Sequence, residues 1–160
     1  MARTPDKTDV FLLEELQRDA DRPNVELARL AGLSPAATLN RVRRLKESGV
    51  IEGIHARLDR DAAGFGLCVY VSVTLGRHEE AHERRFEEVV RELPQVTAAA
   101  WVAGETDALL TVVTRDLAEL QDVLVRLSTR GGAQRVLTLL RLRELKPDSP
   151  LPLSAPRRLR

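Results

Sequence analysis

The strongest constraint on this chain is a change of hydrophobic period near its middle. Residues 8–52 repeat apolar side chains every three or four positions, the spacing of one helix face. Residues 67–146 instead switch between period two and period 3.6, so strands and helices alternate there. Between them, Arg60-Asp61-Ala62-Ala63-Gly64-Phe65-Gly66 has two glycines and no period, which reads as a hinge. A length of 160 residues accommodates two small domains. The expected divisions are 1–52, an all-helical domain; 53–66, a linker strand and hinge; 67–146, a mixed domain; and 147–160, an arm rich in Pro and Arg. The fold class is therefore α+β.

The first helix is expected over Asp9 to Asp19, with Leu12, Leu13 and Leu16 on one face. Asn24 has the chemistry of an N-cap for a second helix, Val25 to Ala31, burying Leu27, Ala28 and Leu30; Gly32 ends it. Ser34-Pro35 then pairs a capping hydroxyl with proline at the first helical position, and the third helix runs to Ser48 before Gly49. Two helices joined by a short Gly-containing turn form a helix-turn-helix.

The second half repeats itself. Leu67 to Leu75 alternates as a half-buried strand. Glu79 to Leu93 is a helix with Phe86, Val89 or Val90, and Leu93 on one side. Val96–Ala103 and Thr106–Thr114 are two more strands, Leu117, Leu120, Leu124 and Leu127 mark a second helix, and Gln134–Leu145 is the last strand. The order βαββαβ is the ferredoxin-like, split-βαβ arrangement. Helices cover one face of such a sheet. The other face, expected around Val69, Val71, Leu140 or their neighbours, calls for a second copy of the chain.

The third helix concentrates charge. The chain as a whole carries only +1, yet residues 34–48 hold Arg41, Arg43, Arg44 and Lys46 against Glu47, a net of +3. On a 100° wheel Leu39, Val42 and Leu45 define a buried stripe. Ala37, Asn40, Arg41 and Arg44 fall opposite it, with Ala36, Arg43 and Ser48 at the edges. That chemistry suits double-stranded DNA: Arg bridges guanine O6 and N7, Asn bridges adenine N6 and N7, and small residues let the backbone approach the groove. Helix-start amides and the Ser34 hydroxyl can meet a phosphate. The expected DNA contacts are Ser34, Ala36, Ala37, Asn40, Arg41 and Arg44. The β-branched run Gly49 to Asp59 reads as a wing or linker strand, which makes the module a winged helix-turn-helix.

Asn24-Val25-Glu26-Leu27-Ala28, Gly32-Leu33-Ser34-Pro35, Leu39-Asn40-Arg41-Val42-Arg43-Arg44-Leu45 and Gly49-Val50-Ile51-Glu52-Gly53 together closely resemble the Lrp/AsnC (feast/famine) transcriptional regulators. The likeness continues through Ala56-x-Leu58-Asp59 and the βαββαβ half to about Lys146. The resemblance implies a DNA-binding domain joined to an effector-binding, oligomerising (RAM-type) domain. It further implies homodimers assembling to an octamer or other higher form on pseudo-palindromic sites, with an amino acid or similar effector bound between subunits. Effector contacts in the family gather at a Gly-Asp-aromatic-Asp-aromatic turn and on the last strand. Here the turn reads Gly104, Glu105, Thr106, Asp107 and Ala108, with Thr138 on the last strand. Thr106 and Ala108 replace two aromatic rings, which opens volume and removes apolar clamping area. An α-ammonium could still be met by Glu105 or Asp107, and a carboxylate by amides near Gly104; a solvated Gly turn is the plainer alternative. Ala20 and Arg22-Pro23 also depart from the family pattern at the joint between the first two helices.

Other chemistry is thin. The single cysteine, Cys68, excludes an internal disulfide and a Cys-based zinc site and is expected as a small buried side chain. His78 and His82 are four apart but lack an evident third ligand, so no metal is expected. Trp101 reads as core, and Arg157 to Arg160 as a basic tail able to add phosphate contacts. No Ser/His/Asp set, Gly-rich phosphate loop or catalytic carboxylate pair is found, so no catalytic residue or cofactor is expected. An enzyme on a ferredoxin-like fold is the less favoured class, behind a stand-alone sensing or scaffold protein without DNA. No secretory h-region and no run of about 20 apolar residues occurs, so the expected setting is cytoplasmic, without a membrane partner.

Overall fold

The structure is a computed structural model, and it describes residues 4–76 and 80–154. His78 and the tail from Arg157 onward lie outside the described residues. The chain forms two compact units, residues 1–56 with 146–160, and residues 57–145.

The first unit is built on three helices, α1 (Lys7–Arg18), α2 (Asn24–Ala31) and α3 (Pro35–Glu47). A reciprocal capping box starts α1: the Asp9 amide donates to the Asp6 carboxylate at 2.9 Å, and the Asp6 amide donates to Asp9 at 3.2 Å. Asn24 does not cap α2. Pro23 stands at the cap position with φ −58°, and the Asn24 amide instead donates across the turn to the Pro35 carbonyl at 2.9 Å. Gly32 ends α2 in the left-handed region (φ 65°), the conformation glycine adopts without penalty. Ser34 caps α3 as expected, its hydroxyl accepting from the Ala37 amide at 3.2 Å. Leu12, Leu13, Leu27, Ala28, Leu45 and Thr38 are buried where the helices meet. Leu16 is half-buried and Leu30 is exposed.

Residues 49–59 are not the expected wing strand. They are irregular, and no described strand pairs with them. Gly53 interrupts the β-branched run; before it, the Gly49 and Ile51 amides donate back to the Lys46 and Leu45 carbonyls at the end of α3. Residues 146–154 have no helix or strand, as expected of the arm, but they lie along α1. The Leu151 amide donates to the Gln17 side chain at 2.6 Å, and the Ser154 hydroxyl bonds to Glu14.

The second unit contains β1 (Leu67–Leu75), α4 (Glu80–Glu92), β2 (Val96–Trp101), β3 (Ala108–Thr114), α5 (Leu117–Thr129) and β4 (Ala133–Leu140). The sheet order is β2-β3-β1-β4 with every pair antiparallel, the ferredoxin-like topology. Strand alternation divides the sheet cleanly. Val69, Val71 and Val73 of β1 and Leu110 and Val112 of β3 are buried against Phe86 and Val89 of α4 and Leu120, Val123 and Leu127 of α5. Val69 and Val71 therefore face the helices, not the open side. The open face belongs to their neighbours: Tyr70, Leu109 (41% exposed), Leu137 (47%) and Leu139 (50%). Leu140 is exposed at the helix side of the sheet edge, opposite Val69. The last strand ends at Leu140, five residues before the expected Leu145. Beyond it only Arg141 continues the ladder, donating to Cys68.

Candidate nucleic-acid interface and effector turn

The outer face of α3 is set by which residues α1 and α2 accept. Thr38, Arg41, Val42 and Leu45 turn inward, an i, i+3, i+4, i+7 stripe. Leu39, which the wheel placed inside, is 58% exposed. The outward residues are Ser34, Ala36, Leu39, Asn40, Arg43, Arg44, Lys46 and Glu47, with Ala37 half-buried beside them. Arg43 donates to the Asn40 carbonyl oxygen at 3.2 Å and lies 3.7 Å from Glu47. Arg44 makes no hydrogen bond or ion pair among the described residues. An exposed guanidinium one turn beyond an exposed Asn, on a helix that opens with small residues, has donors of the kind that can meet base edges.

Arg41 departs from the expectation. It is half-buried, and its Nη1 donates to Asp6 at 2.8 Å and to Asp9 at 2.7 Å. The reason is electrostatic: the two carboxylates that cap α1 project toward the middle of α3, and one guanidinium satisfies both. The hydrogen bond from Arg41 holds the Asp6 carboxyl down at about 2, and the same two partners raise the Arg41 value. A stripe through Thr38 and Arg41 was present in the spacing, but both residues are polar, so apolar periodicity passed over it.

The turn between β2 and β3 is closed by its own backbone and by β1. The Val102 amide donates to the Asp107 carbonyl, and the Asp107 amide to the Val73 carbonyl, both at 2.9 Å. The Thr106 hydroxyl lies 2.7 Å from both the Val73 carbonyl and the Ser72 hydroxyl. One Asp107 carboxylate oxygen accepts the Leu75 amide at 2.7 Å. Asp107 thus caps the end of β1 through one carboxylate oxygen. Glu105 is exposed, and Gly104 adopts φ +148° with open space around it. Ala108 is buried on the helix side. Thr138 pairs with Val71 on that helix side, whereas Thr106 bonds to Ser72 on the other. Within one chain the turn and Thr138 do not form one pocket.

Three further features follow from the packing. Trp101 is exposed rather than core; its ring stacks on Phe86 at 5.6 Å and its Nε1–H donates to Glu87 at 3.0 Å. Edge strand β2 has no outer neighbour to cover that ring. Cys68 is buried as expected and accepts from Arg60 at 3.0 Å. Arg57, Arg60 and Arg141 converge on Glu144 beside Cys68, around a cavity of about 560 Å³. Among the described residues no group of three or more His, Cys, Asp or Glu side chains could hold a metal.

The AsnC-type helix-turn-helix pattern matches residues 6–46, the segment that carries α1 to α3. The Lrp/AsnC ligand binding domain pattern matches residues 68–151, the sheet and its helices. The chain belongs to the Lrp/AsnC family. The Leucine-responsive regulatory protein of Rhizobium meliloti is 38% identical over 142 residues, covering 88% of this chain and 91% of that protein. The HTH-type transcriptional regulator AldR of Mycolicibacterium smegmatis is 36% identical, covering 94% and 88%. The L-Met complex of a transcriptional regulator from Neisseria meningitidis superposes with a TM-score of 0.87 at 32% identity, covering 94% of this chain and 97% of that one. This Lrp/AsnC chain is accordingly a DNA-binding transcriptional regulator. No helix among its described residues is long and apolar enough to cross a membrane.

Proposed function

We propose that this regulator works in the cytoplasm as a homodimer, which assembles to an octamer or other higher form. Each dimer sets two copies of α3 in successive major grooves of a pseudo-palindromic duplex, roughly 34 Å or a multiple apart. Ser34 and the first amides of α3 meet a phosphate, Ala36 and Ala37 admit the backbone to the groove, and Asn40 and Arg44 read base edges, with Arg43 beside them. The observation that carries this is the exposed Arg44, whose side chain is unpaired among the described residues, beside Asn40 on the outer face of a basic helix. No covalent chemistry is needed, and no enzymatic step is assigned.

The likeness to a regulator solved with L-Met supports an amino-acid-like effector here. Gly104, Glu105, Thr106, Asp107 and Ala108 form one part of its site, and Thr138 of a second subunit completes it. Glu105, which is exposed, or Asp107 meets the ammonium. Effector bound between subunits favours one arrangement of copies and so changes the spacing of the reading helices.

The test is duplex binding by fluorescence anisotropy. Arg44→Ala lowers affinity by about 1–3 kcal/mol and relaxes preference at one base pair. Among the described residues the Arg44 side chain has no hydrogen-bond or ion-pair partner, so folding is unaffected. Native affinity and preference in this variant would remove Arg44 from the interface.

A further inference from the structure

We infer that Arg41 is a positioning residue: gripped by Asp6 and Asp9, it sets how α3 stands on α1 and so which base pairs the outer face reaches, without touching DNA itself. The inference rests on the DNA reading above and adds to it a residue that governs selectivity.

Three observations carry it. The first is direction: Arg41 Nη1 bonds to two carboxylates on α1, at 2.8 and 2.7 Å, while Ser34, Asn40 and Arg44 remain exposed. The second is the lock on the carboxylates. Asp6 and Asp9 also cap α1 through each other's amides, so neither can follow Arg41 outward without undoing the helix start. The third is what would be left behind. If Arg41 swung to a phosphate, both carboxylates would lose their bond to it, and their charge would oppose the DNA backbone it had just met. The arginine three residues on divides the work. Arg44 lines the same small cavity, with Pro5, Asp9 and Leu45, yet is bonded to neither acid. A run that reads as one basic patch therefore consists of a tether and a reader.

Two double variants separate a tether from a reader. Asp6→Asn with Asp9→Asn keeps side-chain oxygens for the caps and removes the charges. Arg41→Gln with Asp9→Asn leaves the net charge as in the native chain. The probes are a duplex enriched from a random pool by the native protein, and a random-sequence duplex, both titrated across salt. The expected result for both variants is a preference for the enriched duplex reduced about tenfold, comparable to one mismatched base pair, and in the charge-conserving Arg41→Gln/Asp9→Asn the salt slope on random duplex is unchanged. Two results would overturn the inference. One is a slope lowered by about one in Arg41→Gln/Asp9→Asn, the signature of a lost phosphate contact. The other is native preference in Asp6→Asn/Asp9→Asn, which would mean the grip on Arg41 is irrelevant to reading. If the native protein enriches no sequence at all, the DNA reading itself fails, and the role given to Arg41 falls with it.

Discussion

Placing Glu at position 137 tests whether the open sheet face is where two copies meet. Leu109, Leu137 and Leu139 stand on that face, each 41–50% exposed. Burying a leucine side chain fully contributes about 1.5–3 kcal/mol, so covering each half-exposed leucine contributes about 1 kcal/mol. A two-fold interface counts every residue twice, so the three leucines supply about 6 kcal/mol, of the order of the cost of association. Leu137→Glu removes about 2 kcal/mol of this across the pair. It also brings two carboxylates into an apolar interface, where like charges cost several kcal/mol more. A combined loss of about 4–5 kcal/mol raises the dimer dissociation constant by about three orders of magnitude. Sedimentation velocity over a dilution series reads this directly. Leu140→Glu is the control. Its side chain is similarly exposed but pairs with Val69 and points to the helix side, so the dimer should survive. A Leu137→Glu protein that keeps its native dissociation constant, or a Leu140→Glu protein that loses it, would refute the assignment of the interface.

Two further outcomes follow from the turn and from the α1 cap. Asp107→Ala leaves the amide of buried Leu75 without its 2.7 Å acceptor, so the second unit should lose about 1–3 kcal/mol in denaturant unfolding; an unchanged midpoint would mean the cap carries no stability. Asp6 titrates at about 2 in the folded chain against 3.8 as its ordinary value. Its contribution is therefore present above pH 3.8 and is lost as pH falls from 3.8 through 2. Below pH 4 the native first unit should lose stability more steeply than Asp6→Asn, the difference shrinking in high salt; parallel curves would contradict the pairing with Arg41.

What the sequence made legible was whatever depends on local chemistry. Ser34 before Pro35 caps α3 because a hydroxyl and a proline act within their own turn, and the strand alternation of Leu67 to Leu75 survives because period two needs no knowledge of the partner. The failures are tertiary. Asn24 has the chemistry of a cap, yet the Pro35 carbonyl eleven residues on takes its amide. Trp101 has the volume of a core residue, but it sits on an edge strand with nothing beyond it. Gly49 to Asp59 has β propensity and no strand to pair with. At the candidate site the error was subtler. Leu39 looks inward and Arg41 outward only if polarity alone decides the side of a helix. The acids at Asp6 and Asp9, more than thirty residues upstream, reverse that choice. Once α1 supplies two carboxylates at the right height, the inner stripe of α3 accepts an arginine, rotates about its axis, and delivers Leu39 and Arg43 to the outside. The charge count of α3 was therefore right at +3 and still misleading, because Arg41 is already neutralised by α1. A basic helix is a reading surface only to the extent that its own domain leaves the cations unclaimed, and here the unclaimed one closest to Asn40 is Arg44.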